Sequence, residues 1–250
     1  AVDEHGVVKS GMGVAAADHD NDGDTDLLVV NLATQTDSFF RNTGTWFEDA
    51  SVVVGLATVP RRYTRFGVAL VDFDNDTQLD LYEGNGAIGF ASEHKTADVY
   101  AEPNLLMQGN ADGRFVELLP EGGTATSLIQ TSRGVAVGDV DGDGGLDLLV
   151  INRDGPANLL MNRVPGRGAW LRVRALSVDG RDALNATVAA DIGSVRYYRD
   201  VQAAGSYLVA NDPGVHFGLG TETRARNVAV RWLGGVWEHF GDFDAGGTVE

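Results

Sequence analysis

The sequence predicts an all-β chain, a partial or open β-propeller followed by a small C-terminal β-sandwich-like domain. Three observations carry this reading. A strand–loop–strand unit recurs three times, short apolar runs alternate with period two, and no segment shows a convincing helical period. The 33 glycines fit a chain that turns often, as many-stranded sheet proteins do.

The three units align without gaps. Residues 13–31 read GVAAADHDNDGDTDLLVVN, residues 67–85 GVALVDFDNDTQLDLYEGN, and residues 134–152 GVAVGDVDGDGGLDLLVIN. Each holds an apolar strand, a loop with acids at alternate positions, and a second β-rich run. A hairpin signal follows each copy: 39–42 before Thr43-Gly44, 105–107 before Asn110-Ala111-Asp112-Gly113, and 159–162 before Val164-Pro165-Gly166. About four short strands per unit is the content of one propeller blade. A closed propeller takes about four to eight blades, so three leave an open edge, to be covered by N-terminal blades or by a protein partner. The polar stretch 91–103 reads as a surface loop inserted between the second and third units.

After Asn162 the repeat stops, and Val164-Pro165-Gly166-Arg167-Gly168 reads as a linker. The expected division is 1–165 for the blades and 166–250 for a second β domain, whose alternating runs are 170–174, 195–201 and 228–232.

The loops carry the chemistry. In loop one Asp18, Asp20, Asp22 and Asp26 fall at positions 1, 3, 5 and 9, with Gly23 at position 6 and Asp24 at position 7. Loop three repeats this with Asp139, Asp141, Asp143, Gly144, Gly145 and Asp147. Loop two has Asp72, Asp74, Asp76, Gln78 and Asp80 but places Thr77 at position 6. A β-branched residue resists positive φ, so loop two is expected to be the weakest or most distorted site. Acids packed this closely repel one another unless a hard cation sits among them, and calcium takes six to eight such oxygens, with the position-7 carbonyl available in each loop. Two or three Ca²⁺ are expected; three would bring the net charge from −17 to about −11. These are not EF-hands, because the flanks read as strands and position 12 is Val29 or Val150. Glu83 falls at position 12 of loop two and reads as an outward strand residue.

Composition narrows the partners. A net charge of −17 opposes nucleic acid and anionic membrane surfaces. With no cysteine, neither disulfides nor thiolate metal sites can staple the fold, which leaves that role to calcium. No stretch reaches the roughly 18 apolar residues of a membrane span, and residues 1–10 lack the regions of a signal peptide, so the chain reads as mature or truncated.

The loops resemble the FG-GAP or VCBS repeats of integrin α-subunit propellers and bacterial surface proteins. Asn185-Ala186-Thr187-Val188, Arg199-Asp200-Val201, Gly205-Ser206-Tyr207, the run 215–220 and Val230-Arg231-Trp232 resemble the ASPIC/UnbV domain. Together the combination is similar to cartilage-acidic-protein-like and UnbV-like proteins, whose longer chains carry further repeats. The resemblance implies calcium at the loop acids, an extracellular, periplasmic or cell-surface location, and a role in interaction, adhesion or assembly, including service as an accessory subunit of a larger complex. Two positions depart from the family, which usually has glycine at Asn185 and at Thr77.

A rival reading is a carbohydrate-active or UnbV-type biosynthetic enzyme on the same scaffold. Gly84-Asn85-Gly86-Ala87-Ile88-Gly89 matches G-x-G-x-x-G, but no helix pattern follows it. The histidines His5, His19, His94, His216 and His239 are scattered, and His216 reads as a packed strand residue. Glu48, Asp49, Glu117 and Glu121 show no spacing that marks a glycosidase pair. Asn75-Asp76-Thr77 is a formal glycosylation sequon inside a metal loop, where a glycan would be blocked. Trp46 with Phe47, Tyr197 with Tyr198, and Trp232 with Trp237 are candidate protein or glycan contacts, against the plainer reading of cross-strand packing.

Overall fold

The computed structural model describes residues 2, 6–89 and 96–250; His5, His94 and part of the 91–103 stretch lie outside the described residues. Blade one is an antiparallel sheet of β1 (Gly11–Ala17), β2 (Asp26–Asn31), β3 (Ser38–Asn42) and β4 (Phe47–Asp49), in that order. Blade two follows with β5 (Arg65–Val71) and β6 (Asp80–Asn85); after the short β7 (Glu102–Pro103), β8 (Leu105–Gly109) and β9 (Phe115–Glu117) complete the order β5-β6-β8-β9. The short β10 (Ile129–Gln130) pairs with β7, and blade three is β11 (Ser132–Gly138), β12 (Asp147–Asn152) and β13 (Asn158–Leu160).

Two expectations are corrected here. Blade three has three strands, because the chain leaves at Asn162 for the linker where the other blades turn back into a fourth. The end of the 91–103 stretch is not surface: Ala101 and Glu102 are buried, and β7 pairs with β10 ahead of blade three.

Blade two is covered on both faces. Val68, Leu70 and Leu81 join Leu28, Val30 and Phe39 of blade one in one core, whereas Ala69 and Tyr82 pack with Val135, Leu148 and Val150 of blade three in another. Period-two alternation thus assigns each strand position to one neighbour or the other. The same alternation places Glu83, two residues after Leu81, in the junction with blade one, where it is 0% exposed. It does not face outward, since both faces of β6 are covered. The outer faces of the sector stay open: Val14 of blade one and Leu149, Ile151 and Leu159 of blade three are exposed.

The remaining strands are β14 (Ala169–Val173), β15 (Thr187–Ile192), β16 (Val195–Asp200), β17 (Val215–Gly220), β18 (Arg224–Arg231), β19 (Trp237–Asp244) and β20 (Gly247–Val249). They form two sheets, β17-β14-β20 and β16-β15-β18-β19, whose inner faces share a core including Leu171, Val188, Ala190, Tyr197, Val215, Phe217, Val228 and Val230. This is a small β-sandwich. Asn185 takes φ +67, the left-handed value that a family glycine would supply and that asparagine tolerates.

The connection from β16 to β17 lies along the free edges of the first strand of each blade. Gln202 Nε2 donates to the Ala16 carbonyl (2.9 Å), Val68 N–H donates to Ser206 Oγ (3.0 Å), and Val137 N–H donates to Asn211 Oδ1 (3.0 Å). Tyr207 sits edge-on to Phe66 at 5.0 Å. Edge groups that would otherwise be unpaired are thereby satisfied. Among the described residues no helix is long and apolar enough to cross a membrane.

Candidate metal centres

Each acidic loop joins the first and second strands of its blade, and the three loops share one hydrogen-bond plan. The position-1 carboxylate accepts from the N–H groups of positions 5 and 6. Asp18 accepts from Asp22 (3.1 Å) and Gly23 (3.1 Å), Asp72 from Asp76 (3.1 Å) and Thr77 (2.8 Å), and Asp139 from Asp143 (3.2 Å) and Gly144 (2.9 Å). The position-5 carboxylate accepts from the position-7 N–H of Asp24, Gln78 or Gly145. Position 9 ties the loop to the third strand: Asp26, Asp80 and Asp147 each accept from the position-2 N–H and from the N–H of Asn42, Gly109 or Asn162.

This plan brings acids together at each loop. One oxygen each of Asp18, Asp20 and Asp22 lie within 4.8 Å of one another, as do those of Asp72, Asp74 and Asp80, and of Asp139, Asp141 and Asp147. Asp26, Asp76 and Asp143 fall outside these triplets. The donors are all carboxylate oxygens, the chemistry of a hard cation.

Burial raises several of these acids, against the pull of Arg199 on Asp18 and Asp72: Asp18 and Asp26 to about 6, Asp72 to about 7 and Asp80 to about 8. Arginines enter unevenly. Arg41 pairs with Asp20 at 3.3 Å, whereas Arg163 pairs with Asp141 (2.9 Å) and Asp143 (3.0 Å), and Arg167 with Asp143 (2.9 Å). Among the described residues no basic side chain pairs with an acid of loop two.

Thr77 does not distort loop two. It takes φ +84 beside +93 for Gly23 and +81 for Gly144, so all three loops make the same turn. Its side chain is held in place, with the Tyr197 hydroxyl donating to Oγ1 at 3.1 Å.

The sandwich sits on these loops. Tyr198 covers Gly23, Trp170 covers Gly144, and Gly218 lies so close to loop two that an added Cβ would be 2.0 Å from Asp72 Oδ2 and 2.6 Å from Asn75 Cα. Two loop residues bind the sandwich through position 4: Asn21 Oδ1 accepts from Arg199 Nη1 (3.4 Å), and Asn75 Oδ1 accepts from His216 Nε2 (2.8 Å). A reading built on the acids alone passes over position 4, yet the alignment shows Asn21 and Asn75 against Gly142 there. Asn75 is 0% exposed, so its sequon is closed to a glycan.

Between the blades and the sandwich lies a cavity of about 150 Å³ lined in part by Asp18, Asp72, Tyr197, Arg199, Asp200 and His216. Several of its polar groups have structural partners. His216 stacks on Trp170 at 6.1 Å, and burial lowers its pKa to about 4, which leaves a neutral ring donating to Asn75. Asp200 accepts from Thr187 (2.8 Å) and Thr25 (3.0 Å). Of the other spare acids, Glu117 pairs with Arg62, and Glu48 and Asp49 are exposed on β4. The aromatics divide. Tyr197 enters the sandwich core, Tyr198 lies edge-on to Trp237 at 6.4 Å, and Trp232 packs on the core, whereas Trp46 and Phe47 remain 66% and 49% exposed.

Comparison with known proteins agrees with the resemblance. Residues 18–83 match the FG-GAP-like repeat and residues 177–250 match ASPIC and UnbV. The chain is 29% identical over 234 residues to Cartilage acidic protein 1 of Xenopus tropicalis, covering 92% of this chain and 34% of the relative. It is 28% identical over 239 residues to Cartilage acidic protein 1 of Homo sapiens, covering 90% and 33%, and 28% identical over 232 residues to that of Mus musculus, covering 90% and 34%. The chain spans about a third of the length of the curated relatives it matches.

Proposed function

We propose that this chain, an FG-GAP-like repeat sector joined to an ASPIC and UnbV domain, is a calcium-stabilised interaction or assembly module that works outside the cytoplasm. Asp18, Asp20 and Asp22, Asp72, Asp74 and Asp80, and Asp139, Asp141 and Asp147 would hold the ions, which supply cross-links between strand ends in a chain without cysteine. The observation that carries this reading is the common hydrogen-bond plan of the three loops. It converges carboxylates from each copy on one point and, in loop two, leaves Asp72 and Asp80 buried with no ion pair among the described residues.

The interaction role rests on the open faces. Val14 at one end of the sector and Leu149, Ile151 and Leu159 at the other are apolar and uncovered, and the packing of blade two shows what covers such a face: another blade. A further blade of the same kind is the proposed occupant at each end. Relatives about three times as long have the length to supply such blades. Trp46 and Phe47 are the exposed aromatics available to a protein or glycan partner.

Ion counting by native mass spectrometry tests the calcium reading. Two or three Ca²⁺ are expected on the chain in excess calcium, with one fewer in Asp72→Asn/Asp74→Asn. A chain that retains none after removal of free calcium, in all variants alike, overturns it.

A further inference from the structure

We infer that the sandwich sets the calcium affinity of loops one and two, with Arg199 and His216 acting as positioning residues through position 4. The inference rests on the calcium reading above and names the regulation of those same loops.

Position 4 is where each loop turns. Asn21 and Asn75 take φ +59 and +58, and Gly142 takes +72. Asparagine tolerates this left-handed region less readily than glycine, so the first two loops hold a conformation that their own backbone favours weakly. In both, the sandwich grips the asparagine side chain. Arg199 Nη1 also donates to the Asp18 carbonyl (3.2 Å), fixing positions 1 and 4 of loop one together. At loop two the grip is tighter. His216 Nε2 donates to Asn75 Oδ1, Gly220 N–H donates to the Asn75 carbonyl (2.8 Å), and Gly168 N–H donates to the Asp74 carbonyl (2.8 Å). Asn75 Nδ2 in turn donates to the carbonyls of Gly144 (3.0 Å) and Gly168 (3.2 Å). The His216 tautomer follows, because an oxygen acceptor requires Nε2 to carry the proton.

The turn held this way is the one that aims the N–H groups of positions 5 and 6 at the position-1 carboxylate. Seating the sandwich therefore orders the ligand set before an ion arrives, and a preordered site binds more tightly. Reciprocity requires that ions in these loops strengthen the seating of the sandwich by the same factor. Loop three has no side chain at position 4, so its affinity is set elsewhere.

His216 is the cleaner probe, because its ring is neutral and its removal changes no charge beside the acids. In calorimetric calcium titrations of the full chain, His216→Leu is expected to weaken one bound ion by about fivefold or more while leaving another unchanged. His216→Gln, whose amide can donate to Asn75 Oδ1, is expected to restore much of the loss. Affinities in His216→Leu equal to those of the wild type overturn the inference while leaving the calcium reading intact. A wild-type chain that binds no calcium overturns the reading beneath it. Should His216→Leu fail to fold, hydrogen exchange on the wild-type chain decides: calcium is expected to slow exchange across residues 195–220, and unchanged exchange there with calcium bound overturns the inference.

Discussion

The carboxyl of Glu83 lies beside that of Asp37 across the junction between blades one and two, with both side chains shut away from solvent. Arg65, also 0% exposed, donates from Nε to Asp37 Oδ1 at 3.0 Å. One guanidinium serves two carboxyls, and among the described residues neither oxygen of Glu83 has a hydrogen-bond partner. Burial, with Asp37 beside it, holds Glu83 well above the usual carboxylate range. A raised carboxyl keeps its stabilising contribution below the pKa of the unfolded chain and loses it as pH rises. Glu83→Gln removes that titration and keeps a donor toward Asp37. Urea unfolding is expected to show the variant close to wild type near pH 4.5 and more stable than wild type, by about 1 kcal/mol or more, at pH 8. A constant difference across that range would refute the raised Glu83 carboxyl.

Thr77 holds a positive φ that a β-branched residue resists, and its hydroxyl accepts from Tyr197. Thr77→Gly relieves the backbone and loses the hydrogen bond, two changes of about 1 kcal/mol with opposite sign, so its stability is expected to match wild type. Thr77→Val keeps the strain and leaves the Tyr197 hydroxyl without its acceptor. It is expected to cost about 1–2 kcal/mol in thermal unfolding. The reverse order would mean that the turn is not strained.

Gly218 is required by close approach, not by its φ. A methyl group there would meet the main chain of Asn75 as well as Asp72, and main chain cannot swing aside. Gly218→Ala is expected to lift the sandwich from loop two, costing more than about 2 kcal/mol. Limited proteolysis should then cut within the exposed linker residues 164–166. Unchanged protection would show that the seat is loose.

The spacing of the acids was enough to locate the loops, since alternate positions in three aligned copies are a local property. Position 4 was not legible in the same way, because the partners of Asn21 and Asn75 are Arg199 and His216, more than a hundred residues along the chain. Glu83 was misjudged for a related reason. Alternation along β6 says that Leu81 and Glu83 share a face, but only the stacking of blades says that this face is buried. The fourth strand expected in blade three is likewise decided outside the repeat, where the linker must reach the sandwich. Thr77 shows the limit of propensity, which forecast a distorted turn at a residue that Tyr197 and the loop N–H groups hold in place.

Loop three carries its own cations. Arg163 and Arg167 pair with Asp141 and Asp143, while among the described residues loop two has no such partner, so loop three is expected to be the weakest site. Arg163→Gln is expected to raise the affinity of that site by up to about fivefold in a calcium titration. No change would mean that the arginines yield freely to the ion.

Thermal unfolding of the purified chain in EDTA and again in 2 mM calcium tests the central claim most directly. Ions that bind the folded loops and not the unfolded chain raise the midpoint as calcium is added. The expected result is a rise of several degrees or more that is lost when Asp18, Asp72 and Asp139 are all replaced by Asn. Equal midpoints with and without calcium would contradict the account and leave the loops as solvated acidic turns.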